Sequence, residues 1–76
     1  MKSTMILLNS ISDVKEFVNI VSSYACDIDL VSGRYIIDAK SIMGIFSLDL
    51  TKPIKVEVSS DECADKFFEQ IKKFIV

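Results

Sequence analysis

Hydrophobic and polar residues alternate along the chain with two periods, close to two and close to 3.6 residues, which separate predicted strands from predicted helices. A short apolar run from Met5 to Leu8 predicts a buried strand. Asp13, followed by Glu16 three residues later, has the spacing of a capping box and predicts the start of a helix that ends near Tyr24 or Ala25. The apolar face of this helix consists of Val14, Phe17, Val18, Val21 and Tyr24.

The middle of the chain combines a predicted hairpin with a predicted short helix. Residues 27–38 alternate between apolar and polar positions on either side of Ser32-Gly33, which is typical of two strands joined by a tight turn. The block 39–48, with the sequence AKSIMGIFSL, then predicts a short helix with Ser41 at or beside its N-cap.

The last third predicts one strand and one helix. Thr51-Lys52-Pro53 interrupts the pattern, after which residues 54–58 alternate as a strand with one wet face. Ser59 and Glu62 repeat the capping-box spacing. The apolar stripe that follows is Cys63, Ala64, Phe67, Phe68, Ile71, Phe74 and Ile75. The order β-α-β-β-α-β-α predicts an α+β fold, a two-layer open-faced sandwich in which three helices cover one face of a four-stranded antiparallel sheet.

Composition narrows the class of protein. A chain of 76 residues, half of them hydrophobic, predicts one small compact domain over residues 1–76. The net charge of −2 argues against a nucleic-acid partner, since phosphate binding normally needs a basic face. The run from Met5 to Leu8 is too short to span a membrane, and no secretory signal pattern opens the chain, so we expect a cytoplasmic protein without membrane contact.

Candidate chemical groups are few. Cys26 and Cys63 each fall within a predicted apolar face, which favours two buried thiols, with a disulfide as the alternative and too few ligands for a metal site. There is no histidine, no glycine-rich phosphate loop and no cysteine cluster, and no cofactor is expected. The alternating aspartates favour solvated strand positions over carboxylate catalysis or a cation site. They are Asp27, Asp29, Asp38 and Asp49.

The block KSIMGIFSL, together with the order of elements, resembles the HPr family, the histidine-containing phosphocarriers of the bacterial sugar phosphotransferase system. Seven of its nine residues match the family's second helix: Lys40, Ser41, Ile42, Met43, Gly44, Ser47 and Leu48. The resemblance places Ser10 at the family's phosphocarrier histidine and Ser12 at its active-site arginine. The catabolite-repression homologue within that family also lacks the histidine and keeps the serine, and this chain is similar in that respect.

A missing histidine changes what the resemblance implies. Phosphoimidazole transfers its phosphoryl group in both directions near neutral pH, whereas a serine phosphoester is too stable for relay. The resemblance therefore implies a non-catalytic regulatory or interaction module. The alternative is a phosphocarrier-type component that is inactive or uses an unusual acceptor such as Ser10.

Two roles for the second helix follow from the resemblance. Ser41 is either a helix cap only or also the serine that a dedicated kinase phosphorylates in this family. Lys40, Ile42, Met43 and Phe46 would form a docking surface for protein partners, among them HPr kinase or a carbon-regulation protein. Ile45 and Leu48, on the opposite side of the helix, are expected to be in the core.

Overall fold

The computed structural model describes all 76 residues and confirms the predicted order of strands and helices. The elements are β1 (Lys2–Ile6), α1 (Ile11–Ser22), β2 (Ile28–Ser32), β3 (Tyr35–Asp38), α2 (Ile42–Phe46), β4 (Ile54–Val58), α3 (Asp61–Gln70) and a 3₁₀ helix (Lys72–Phe74). The predicted last helix is thus divided in two, because Ile71 departs from helical geometry at φ −100° and ψ 14°. The first strand lies earlier than predicted and ends at Ile6, where its pairing with β4 ends opposite Ile54.

The four strands form one antiparallel sheet in the order β1-β4-β2-β3. The chain end covers part of the outer edge of β1. The Leu7 N–H donates to the Phe74 carbonyl at 2.8 Å and the Val76 N–H donates to the Met5 carbonyl at 3.1 Å. No such cover lies on the outer edge of β3, which is hydrogen-bonded to β2 alone.

Strand alternation gives the sheet one dry face and one open face. Leu30 of β2 and Val56 of β4 are opposite each other and fully buried under the helices. The whole buried core of 16 residues is hydrophobic, and Phe17 of α1 lies within it. Its ring packs edge-on against Phe67 and Phe74, with centroid separations of 5.9 and 6.4 Å. These contacts hold the helical layer together over the sheet.

The first helix starts earlier than its predicted cap. Ser10 is the N-cap of α1, and its hydroxyl accepts a hydrogen bond from the Asp13 N–H at 3.1 Å. The prediction of Asp13 as the cap is therefore wrong. Its carboxylate instead accepts from the Asn9 N–H at 3.1 Å, which fixes the approach of the chain to the helix. Serine caps are as effective as aspartate caps, and sequence spacing alone did not separate the two candidates.

The last helix starts one residue later than predicted. Ser60, and not Ser59, is its N-cap, and the Ser60 hydroxyl accepts from the Cys63 N–H at 3.3 Å. The Ser59 hydroxyl accepts from the Asp27 N–H at 3.2 Å, and the Ser59 N–H donates to the Asp27 carbonyl at 3.0 Å. Ser59 therefore joins the end of β4 to the loop that precedes β2.

The two cysteines form a disulfide, so the prediction of two buried thiols is wrong. Cys26 and Cys63 are 37 positions apart in sequence, and their Cα atoms lie 6.7 Å apart. The hydrogen bonds between Ser59 and Asp27 hold the two segments side by side. Both cysteines are half-buried and pack against the core at its rim.

The hairpin and the second helix form as predicted, but the predicted turn Ser32-Gly33 is wrong by one residue, because Ser32 pairs with Tyr35 at the end of β2. Gly33 adopts φ 59°, in the left-handed region that favours glycine, and with Arg34 it forms a two-residue turn between β2 and β3. Ser41 is the N-cap of α2. None of the helices has the length and apolar character needed to cross a membrane.

Candidate functional site

The first turn of α1 holds the two serines that the resemblance aligns with the family's active site. Ser10 and Ser12 are both exposed. The Ser10 hydroxyl caps the helix, while its carbonyl accepts from the Val14 N–H at 3.1 Å. Asp13 adds a carboxylate to the same turn. A negative charge there complements the helix dipole and disfavours the docking of a second anion.

The second helix begins at an exposed serine whose hydroxyl is oriented by the helix itself. The Ser41 Oγ accepts from the Gly44 N–H at 3.2 Å, and the Ser41 carbonyl accepts from the Ile45 N–H at 3.0 Å. The backbone of Ser41 is extended, with φ −89° and ψ 95°, as is usual for an N-cap. The hydroxyl is therefore held in one orientation and remains open to solvent.

Asp38 anchors the entry to α2, a role that the alternation pattern did not indicate. Its carboxylate accepts from the Lys40 N–H at 2.9 Å and its carbonyl accepts from the Ser41 N–H at 2.9 Å. An aspartate carboxylate that accepts a hydrogen bond from the backbone N–H two residues later is the signature of an Asx turn. That local signal was available in the sequence, but it competed with the interpretation of Asp38 as a solvated strand position.

Gly44 leaves room for the cap. A Cβ at this position would lie 3.0 Å from the Ser41 Oγ and 3.4 Å from the Ile37 Cδ1. A larger residue would therefore crowd the hydroxyl against the helix. The glycine in the block KSIMG thus serves to keep the Ser41 hydroxyl in its capping position.

The residues predicted to dock partners lie around Ser41, and they differ in exposure. We call Lys40, Ile42, Met43 and Phe46 the α2 patch. Lys40 is exposed, and Met43 and Phe46 are 78% and 40% exposed. Ile42 is half-buried and packs against the core. The α2 patch is therefore apolar at its centre, with one cation at its end. On the opposite side, Ile45 is buried as expected and Leu48 is half-buried against the core.

Three carboxylates form a row across the open face of the sheet. Asp29 lies between Asp38 on β3 and Glu57 on β4 in the strand register. Partial burial and these neighbouring carboxylates, together with Asp27, raise the pKa of Asp29. The prediction of solvated strand positions therefore holds less well for Asp29, which is half-buried, than for the exposed Asp38.

Asp27 and Asp49 lie outside the strands, contrary to that prediction, and Asp49 accepts from the Thr51 N–H at 3.0 Å. The structure contains no group of three or more histidine, cysteine, aspartate or glutamate side chains placed to hold a metal ion.

Solved structures with a similar fold include HPr proteins and a homologue. The HPr-C-His protein of Thermoanaerobacter tengcongensis superposes with a TM-score of 0.79 at 22% identity, over 96% of this chain and 89% of that one. The phosphocarrier protein HPr of Bacillus anthracis gives 0.74 at 18% identity, over 99% and 96% of the two chains. The Bacillus subtilis catabolite repression protein Crh gives 0.66 at 18% identity, over 93% and 87%. At these identities the likeness establishes the fold. A search of curated protein sequences found no match.

A sequence-family comparison establishes the family. The family described as the PTS HPr component phosphorylation site matches residues 13–76, which include all of α2 and the α2 patch. The matched range begins after Ser10 and Ser12, so the segment aligned with the phosphocarrier histidine lies outside it. The fold, the retained second helix and this match agree, and the chain belongs to the HPr family of phosphocarrier-type proteins of the phosphotransferase system.

Proposed function

We propose that this protein is a regulatory or protein-interaction module of the phosphotransferase and carbon-regulation system that does not relay phosphoryl groups through histidine. One contrast carries the proposal. The chain has no histidine and has a capping serine at the aligned position, whereas the second helix keeps an exposed serine inside an exposed apolar patch. The protein is non-catalytic in this proposal, and it acts by being bound.

The chemistry of the first helix supports the absence of relay. A carrier must hold its phosphoryl group at a free energy close to that of its donor and acceptor, and a serine phosphoester does not meet that requirement. Ser12 lacks the guanidinium that would neutralise a bound phosphoryl group. The Asp13 carboxylate adds a negative charge, which would repel that group.

The environment of Ser41 supports its phosphorylation by a protein kinase such as HPr kinase. Its hydroxyl is exposed, and the Gly44 N–H already points at the oxygen. A phosphate at this position would meet the positive end of the short helix and lie beside the exposed Lys40. It would also place about two negative charges beside Met43 at the centre of the α2 patch. Phosphorylation would thereby change which protein surface can bind there.

The proposed partners are proteins, namely a kinase and a carbon-regulation protein, and the proposed location is the cytoplasm. A disulfide is uncommon at that location, because the reducing cytoplasm keeps most thiols free. The core of 16 hydrophobic residues does not include either cysteine, so the fold is expected to persist when the bond is reduced.

A kinase assay tests the role of Ser41. The protein is incubated with HPr kinase and ATP, and its intact mass is measured. We expect a gain of one phosphoryl group that resists acid, and its loss in the variant Ser41→Ala. Ser47→Ala, which removes another exposed hydroxyl at the end of the same helix, is the matched control and should retain the gain. No gain in the unaltered protein would remove the proposed control by Ser41.

A second assay tests the alternative, a phosphocarrier-type component that uses Ser10. The observation that favours it is the exposed hydroxyl of Ser10 at the family's phosphorylation position. The protein is incubated with enzyme I and phosphoenolpyruvate, and its mass is compared with that of Ser10→Ala. We expect no gain in either protein. A gain that depends on Ser10 would establish the alternative and refute the absence of relay.

A further inference from the structure

The outer edge of β3 has backbone groups without a partner. The two-residue turn makes Ser32 and Tyr35 a hydrogen-bonded pair across the hairpin, and the alternation of antiparallel ladders makes Leu30 and Ile37 the next such pair. The N–H and the carbonyl of Ile36 therefore point away from β2, toward solvent. An exposed edge of this kind is a template for pairing with another strand.

The side chains along this edge are apolar and exposed. Tyr35 and Ile36 are 70% and 68% exposed. Edge strands are usually protected by a lysine, a proline, a bulge, a charge or short length, and β3 has only its four-residue length and the charge of Asp38 at one end. The edge therefore combines free backbone groups with apolar surface, and this combination favours association.

The charges at the two ends of β3 indicate what pairs with it. Arg34 and Asp38 are both exposed and lie two residues to either side of Ile36. When two copies of β3 pair antiparallel about a two-fold axis through Ile36, each Arg34 lies opposite Asp38 of the other copy. Asp38 and the neighbouring Asp29 make that end of the hairpin negative, whereas Glu57 is paired with Lys55 at 3.3 Å, so an incoming guanidinium is favoured beside Asp38. A strand of another protein could satisfy the backbone groups, but this strand is complementary to itself.

We propose that the protein self-associates through the edge of β3, and that the partner is a second copy of this chain. In this dimer the two Ile36 residues exchange both of their backbone hydrogen bonds, and the two sheets join into one of eight strands. A four-residue edge buries less than the roughly 1,200 Å² of a stable interface. The dimer is therefore weak and in rapid exchange, with a dissociation constant on the order of 0.1–1 mM. This association does not depend on the proposed role of Ser41.

Sedimentation equilibrium and amide NMR spectra over about 0.02–2 mM protein test the association. We expect the mean mass to rise above the 8.5 kDa of the monomer, and amide shifts with concentration to concentrate at residues 34–38. Ile36→Lys should abolish both changes. Ile11→Lys, which alters an isoleucine of similar exposure on α1, is the matched control and should dimerise like the unaltered protein. A monomer at all concentrations overturns the proposal, and so does a dimer that Ile36→Lys leaves intact or that Ile11→Lys abolishes.

A mixing experiment tests the register. Arg34→Asp and Asp38→Arg each place two pairs of like charges in the dimer and should weaken self-association about tenfold. A mixture of the two variants restores two opposite pairs, and its heterodimer should be as strong as the unaltered dimer. Asp38→Arg also removes the hydrogen bond that the Asp38 carboxylate accepts from the Lys40 N–H. Mixing the variants cannot repair a folding defect, so association that returns on mixing reports the restored charge pairs. A mixture that associates no better than its components overturns the two-fold pairing.

Discussion

Reduction of the Cys26–Cys63 disulfide should lower the free energy of unfolding by about 4 kcal/mol at 25 °C. The bond closes a loop of 37 positions, and the chain-entropy relation for that length gives about 13 cal/mol/K of lost freedom in the unfolded chain. A domain of 76 residues has a total stability of about 4–11 kcal/mol. The bond therefore supplies from about a third to nearly all of that stability, and the apolar core supplies the remainder.

Urea unfolding followed by far-ultraviolet circular dichroism measures this effect with and without a thiol reductant. We expect the unfolding midpoint to fall on reduction and the m-value to rise, since the reduced unfolded chain exposes more surface. The double variant Cys26→Ala/Cys63→Ala should behave like the reduced protein and should not respond to reductant. Titration of thiols in the unreduced protein should detect none. Two free thiols, or the same midpoint before and after reduction, would refute the reasoning.

Two further predictions concern one cap and one carboxylate. Ser10→Ala should lower the free energy of unfolding by about 1 kcal/mol, because the Asp13 N–H loses its acceptor, and Ser12→Ala should change it by less than about 0.5 kcal/mol in the same urea assay. Equal losses would contradict the assignment of the cap. Burial and neighbouring carboxylates raise the pKa of Asp29 in the folded protein, so its ionisation destabilises the fold as the pH rises above the unfolded value. Asp29→Asn should therefore increase stability at pH 7 by up to about 1 kcal/mol and leave it unchanged near pH 3, and a gain of equal size at both pH values would contradict this cause.

The sequence determined the secondary structure through local periodicity. Alternation along residues 54–58 specified β4, and the apolar spacing through Phe17 specified the buried face of α1, because burial selects the same positions that the period marks. The capping serine of α2 was also predictable, since Ser41 precedes a short apolar block. Those features depend on residues within a few positions of one another.

Features that depend on distant residues were decided by the tertiary structure. Cys26 and Cys63 pair because the end of β4 brings the start of α3 beside the loop before β2, and nothing near either cysteine indicates this. The half-burial of Asp29 likewise comes from its position between two other strands. The edge of β3 is open because no other strand pairs with it, whereas the chain end covers part of the edge of β1. Sequence patterns specify which face of each element is apolar, whereas only the folded chain determines which elements meet and which edge is left for a partner.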